Sequence, residues 1–202
     1  VSYGKVPPFI VTLGAMQIAR GLALLINGGQ PISSFPKGLG SLMASKVLGT
    51  VPVSVIYVFV FYAVIIFVMA YTKFGRHVYS AGGNICAARL SGINVNRTIA
   101  ITFAIGSALA AVAGALLCST YPSLTPYTGS MPGIKAFVAA VFGGIGSIPG
   151  ALIGGIILGV VENLSKAYIS SQLSDAIVFS MLIIILLVRP TGILGKKINE
   201  KV

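Results

Sequence analysis

Few residues in this chain can do acid–base, nucleophilic or metal chemistry. There is one histidine, His77; there are three carboxylates, Glu162, Asp175 and Glu200, and two cysteines, Cys86 and Cys118. HExxH, clustered cysteines and closely spaced carboxylates are all missing, so neither a zinc site nor a paired acid–base mechanism is expected. A G-x-x-x-x-G-K-[ST] phosphate loop is also absent, so the chain is not expected to hydrolyse ATP itself. No catalytic residue, metal site or cofactor is assigned. His77 follows Arg76 in a polar segment and reads as solvated.

Two polar pairs remain. Glu162 and Lys166 stand four apart with the acid first, the favourable order for a pair along one helix, worth a few tenths of a kcal/mol. The alternative is a substrate-facing pair near the outer mouth of a pathway. Gln17 and Arg20 stand three apart inside an apolar run and share a face. Ionisable groups inside a membrane are functional suspects, whereas a long guanidinium near a helix end snorkels to the interface. Gln17, Arg20 and Glu162 are therefore the possible polar lining of a pathway. Lys135 reads as an interfacial helix start.

These residues must be positioned by membrane helices. Of 202 residues, 56% are hydrophobic and 8% charged, against about 25% charged in soluble domains, and the mean hydropathy is +0.98. A spanning helix needs about 20 mostly apolar residues. Candidates are 6–26, opened by Pro7 and Pro8; 53–71, uncharged throughout; 98–119; a shorter helix 135–142, a break, and a helix 151–169; and 176–188. The expected fold is all-α and polytopic, with about five to six membrane helices including a glycine-broken pair, in one transmembrane domain over 1–202. Cys86 and Cys118 fall a membrane thickness apart, too far for a disulfide. Trp is absent, so tyrosines such as Tyr3, Tyr71 and Tyr79 must anchor the interfaces.

The net charge is +11, but no basic groove interleaved with aromatics appears, so nucleic acid is not an expected partner. The basic residues instead concentrate in short loops. Lys73, Arg76, Arg89 and Arg97 sit in a polar loop, 73–97, which the positive-inside rule puts in the cytoplasm. Within it, Ile85–Leu90 reads as a short helix ending at Ser91-Gly92, offered to a soluble partner. The tail with Lys196, Lys197 and Lys201 reaches the same side by parity.

Seven glycines lie between Gly143 and Gly159. Gly154 and Gly159 suit close helix packing. The contiguous Gly143, Gly144, Gly146, Ser147, Pro149 and Gly150 suit a helix break, which at membrane depth survives only beside protein or water. That stretch is expected to border a translocation pathway. Gly106, Ala110 and Gly114, spaced by four, form a small-residue face.

The segments KVPPFIVTLGAMQIARGLALLINGGQPIS and TKFGRHVYSAGGNICAARLSGINVNR resemble the ribose and xylose class of permease subunits of bacterial ABC importers. From Thr102 onward, TFAIGSALAAVAGALL, TPYTGSMPGIKAFVAAVFGGIGSIPGALIGGIILG and LLVRPTGILG resemble the branched-chain amino acid permeases (LivH type) of the same superfamily. The resemblance implies a multi-pass subunit of the bacterial cytoplasmic (inner) membrane, in contact with lipid. Its implied partners are ATP-binding cassette subunits, a second permease subunit and an extracytoplasmic solute-binding protein.

By the same resemblance, Asn84, Ala87, Ala88, Arg89, Leu90, Gly92 and Ile93 correspond to the coupling helix that contacts the ATPase. The family often has acids where Ile85 and Cys86 stand, and normally has further helices before residue 6, so the chain reads as N-terminally truncated. The expected function is transport of a small polar solute, a branched-chain amino acid ahead of a ribose- or xylose-type sugar. The competing reading is an ion-coupled secondary transporter, which would need Glu162 or Asp175 as a coupling group.

Overall fold

The computed structural model describes all residues except 3, 5, 34–45, 48–50, 122, 190 and 196–202. Tyr3, Lys37 and the basic tail with Glu200 therefore lie outside the described residues. Among those described, eight helices and one pair of two-residue strands form two compact units, Val1–Gly129 and Ser130–Val202.

In the first unit, α1 (Pro8–Asn27) starts on the Pro7-Pro8 pair, where missing amides leave nothing unsatisfied. Strands β1 (Lys46–Val47) and β2 (Val51–Pro52) pair antiparallel. Helix α2 (Val53–Tyr71) has the bounds expected from its uncharged run. Its 19 residues reach about 28 Å, close to the hydrocarbon thickness. It buries no residue, as expected of a helix whose solvent is lipid.

The next segment departs from expectation. Residues read as loop form α3 (Lys73–Gly83). Thr72 makes the corner: its hydroxyl donates to the Val68 carbonyl at 2.6 Å and accepts from the Gly75 amide at 3.3 Å. A Cβ on Gly75 would lie 2.0 Å from the Met69 carbonyl oxygen, so α3 folds directly against the last turn of α2. Phe74, Gly75, Val78 and Ala81 turn inward at helical spacing. The Gly82-Gly83 end hides this pattern, because glycine is a poor helix former.

Helix α4 (Ile85–Leu90) has its expected bounds. Helix α5 (Val95–Thr120) starts three residues earlier than expected because Asn94 caps it, accepting from the Arg97 amide at 3.1 Å. Gly106, Ala110 and Gly114 stay exposed on α5. Past α1 and past α5 the chain meets itself: Ile32 and Leu124 exchange both backbone hydrogen bonds at 2.9 Å. Those two helices therefore end on the same side of the unit, as positive-inside parity requires.

The second unit is α6 (Ser130–Gly143), α7 (Ile148–Tyr168) and α8 (Ser174–Val188). Each starts before its expected residue. Pro132 is tolerated in the first turn of α6, and Ser147 caps α7, accepting from the Gly150 amide at 3.1 Å. Val138, Phe142, Leu158 and Val178 form the core between the three helices. Among the described residues, four helical stretches are long and apolar enough to cross a membrane: Pro8–Asn27, Val53–Tyr71, Val95–Cys118 and Ile148–Tyr168. Ser130–Gly143 and Ser174–Val188 are apolar but shorter. The chain is an all-α, polytopic membrane protein.

Candidate functional site

Three constellations carry the residues singled out by sequence. The first is α4 and its flanks. Asn84 caps α4, its Oδ1 accepting from the Ala87 amide at 3.0 Å. Ser91 and Gly92 end it, and the Ile93 amide donates to the Ala88 carbonyl at 3.1 Å. Gly92 has φ +78°, a left-handed conformation that side-chain-bearing residues adopt at a cost. Ala88 is buried and is the residue by which α4 grips its own unit. Ile85, Cys86, Arg89 and Leu90 are exposed, Leu90 at 90%. The result is a rigid, doubly capped helical turn that presents one cation and two aliphatic side chains outward. Cys86 is an exposed free thiol and Cys118, towards the other end of α5, is also free.

The second is the α6–α7 break. Gly143 and Gly150 touch through their backbones: a Cβ on Gly143 would sit 2.0 Å from the Gly150 oxygen, and one on Gly150 would sit 2.4 Å from the Gly143 oxygen. A Cβ on Gly154 would lie 2.5 Å from the Ala139 oxygen. Gly144, at φ +110°, turns the chain, and its missing Cβ leaves room for Gly195, whose amide nitrogen would be 2.4 Å away. The segment after α8 returns here. Ile193 and Leu194 donate to the Phe142 and Gly143 carbonyls, both at 3.0 Å. These bonds occupy carbonyls at the end of α6 that an unbroken helix would have satisfied internally. Gly146 and Pro149 are exposed, and Ser147 is half-buried in the cap. Sequence spacing pointed to the break but not to the returning segment, which is separated from it by a whole helical hairpin.

The third is polar. In the first unit the Arg20 Nη1 donates to Gln17 Oε1 at 3.2 Å, and the guanidinium lies 5.2 Å from the centre of the Tyr127 ring, a cation–π distance. In the second unit Glu162 accepts from Lys166 at 2.5 Å, the expected intrahelical pair, and from Lys135 at 2.7 Å. Lys135 also reaches Asp175 at 2.7 Å. Lys135 thus ties α6 to both α7 and α8, and two cations balance two anions. The hydroxyl of Ser174, fully buried, adds a bond to the Glu162 carbonyl at 3.2 Å. Lys135 had read as merely interfacial. Its partners lie 27 and 40 residues on, beyond any helical periodicity.

Comparison with known proteins follows the same lines. A family profile described as branched-chain amino acid transport system, permease component, matches residues 1–186. The high-affinity branched-chain amino acid transport system permease protein LivH of Salmonella typhimurium is 55% identical over 132 residues, covering 65% of this chain and 43% of that protein. Its counterpart BraD of Pseudomonas aeruginosa is 49% identical over 131 residues, with the same coverage. The ribose import permease protein RbsC of Haemophilus influenzae is 35% identical over 208 residues, covering 98% of this chain and 64% of that protein. The chain thus spans less than two thirds of the length of these relatives. No solved structure matches it. With the profile extending over residues 1–186, the chain belongs to the family of permease components of branched-chain amino acid transport systems.

Proposed function

We propose that the chain forms the membrane-embedded permease part of an ATP-driven ABC importer in the bacterial inner membrane. Its cargo is a small polar solute, a branched-chain amino acid. The observation that carries the reading is the 49–55% identity to branched-chain amino acid permeases, against 35% to a ribose permease. ATP-binding cassette subunits, a second permease subunit and an extracytoplasmic solute-binding protein complete the assembly, and hydrolysis belongs to the cassette subunits.

In this reading residues 73–97 face the cytoplasm and α4 docks on the ATPase through Arg89 and Leu90. A force applied to α4 reaches α5 at once, because the two are joined by only the Ser91–Asn94 turn. The α6–α7 break borders the solute route, and its backbone contacts let the two helices tilt as one. Gln17 and Arg20 supply polar lining on α1. Both described carboxylates of the second unit are held by lysines, which leaves ion coupling without a ready proton or Na⁺ carrier there.

The test is uptake into proteoliposomes holding the permease pair, its ATPase and its binding protein. ATP-dependent leucine uptake, not competed by ribose, is expected. The sugar alternative has the broader alignment in its favour and predicts the reverse. Uptake that persists without ATP and collapses with the proton gradient would overturn both.

Docking has its own test. Arg89→Glu, and separately Gly92→Pro, should lower permease-stimulated ATPase activity on the order of tenfold, the loss from one 1.4 kcal/mol interfacial contact. Membrane insertion should be normal. Unchanged stimulation in both variants removes the docking role of α4.

A further inference from the structure

The outward face of α3 carries charge that nothing described neutralises. Lys73, Arg76, His77 and Ser80 are exposed and fall at i, i+3, i+4 and i+7, one stripe along the helix. Every carboxylate of the chain lies at residue 162 or beyond, and all ion pairs among the described residues are in the second unit. The other face of α3 packs on α2, α4 and α5. The stripe is therefore held outward by packing.

Its level is fixed as well. The Thr72 corner and the contact of Gly75 with Met69 hold α3 against the last turn of a spanning helix. That is the depth of lipid headgroups. Tyr71 and Tyr79 flank the stripe, 74% and 54% exposed, and tyrosine is enriched at that depth. Neighbouring α4 differs: it pairs its cation with the protruding aliphatic Leu90, a surface suited to a protein. No aliphatic side chain is exposed on α3.

We propose that α3 is a binding site for anionic phospholipid, with Lys73 and Arg76 engaging headgroup phosphates and His77 adding a polar contact. The site is separate from the docking role of α4 and requires only that α2 spans the bilayer. An anionic surface attracts each nearby cation by about fivefold in binding. Two cations therefore give roughly a 25-fold preference for an anionic over a zwitterionic lipid.

Residues 1–202 contain no Trp, so Tyr71→Trp places a reporter beside the stripe with no other Trp in this sequence. The permease carrying it is reconstituted in phosphatidylcholine bilayers with rising fractions of phosphatidylglycerol, either lipid being brominated on its acyl chains. Quenching by brominated phosphatidylglycerol should exceed that by brominated phosphatidylcholine with roughly the 25-fold preference above. The preference should fall in 1 M salt, where the screening length shrinks to about 3 Å. Adding Lys73→Gln and Arg76→Gln should bring it near unity with helix content unchanged.

Equal quenching by both lipids before those substitutions overturns the proposal. So does a preference that survives them, which would put the lipid elsewhere. Equal quenching before the substitutions, together with lost ATPase stimulation when the Gln variants are assayed separately with the ATPase, would hand the stripe to the protein partner. The lipid measurement contains no ATPase, so failure of α4 docking leaves its outcome untouched.

Discussion

Gly143→Val should unfold the second unit at temperatures where the parent is intact. Even the first carbon of the new side chain would stand 2.0 Å from the Gly150 oxygen and 2.2 Å from its carbon, whereas ordinary contact begins near 3.5 Å. Neither neighbour is a side chain that can swing away. Relief requires α6 and α7 to part by more than 1 Å, which also strains the hydrogen bonds from Ile193 and Leu194 to Phe142 and Gly143. Over-packing alone costs about 1–3 kcal/mol, and the lost bonds add about 1 kcal/mol each. A loss of about 3 kcal/mol or more follows, read as a lowered midpoint of thermal unfolding in detergent or as aggregation on size exclusion. Gly159→Ala is the control. Its Cβ would meet nothing within 4 Å, so it should be neutral or slightly stabilising by helix propensity. Equal damage from both substitutions would mean that close packing at Gly143 is not what holds the hairpin.

Lys135→Met should be the second most damaging change. It strands Glu162 and Asp175 and unties α6 from α7 and α8 at the end away from the break. Fully buried pairs cost 3–5 kcal/mol when one partner is removed, but here the side chains of Lys135, Glu162 and Asp175 retain 21%, 19% and 38% exposure. Water screens such groups, so the loss should fall well short of that for a fully buried pair and be read as a lowered unfolding midpoint. Lys135→Arg should recover most of it. So should the triple substitution Lys135→Met, Glu162→Gln, Asp175→Asn, because it leaves no orphaned charge. Unfolding midpoints of the four proteins separate these cases. A triple variant no better than Lys135→Met alone would show that charge pairing is not the source of the effect.

What could be read from residues alone divides by the range of the interaction. The bounds of α2 and α4 were legible because each rests on a local signal: an uncharged run of spanning length, and a capped turn ending in Ser91-Gly92. The glycine-rich break was legible for the same reason. Helix α3 was not, since its inward positions are small or interrupted by charge and its stability comes from packing on α2 and α5. The Lys135 cluster, the Ile32–Leu124 bridge and the return of residues 191–195 to Gly143 all join positions far apart in sequence, and one chain carries no periodic trace of them. Glu162–Lys166 was visible as an i, i+4 pair, yet the partner that gives it structural weight was not.

The bonds from Ile193 and Leu194 to the end of α6 have a consequence for synthesis. Their donors are translated roughly fifty residues after their acceptors, about 3–10 s later at ordinary elongation rates. Through that interval the carbonyls of Phe142 and Gly143 have no native partner, and bare carbonyls are poorly tolerated in lipid. The nascent hairpin must wait in a wet or chaperoned setting, and its release into the bilayer is timed by the arrival of the turn beyond Val188.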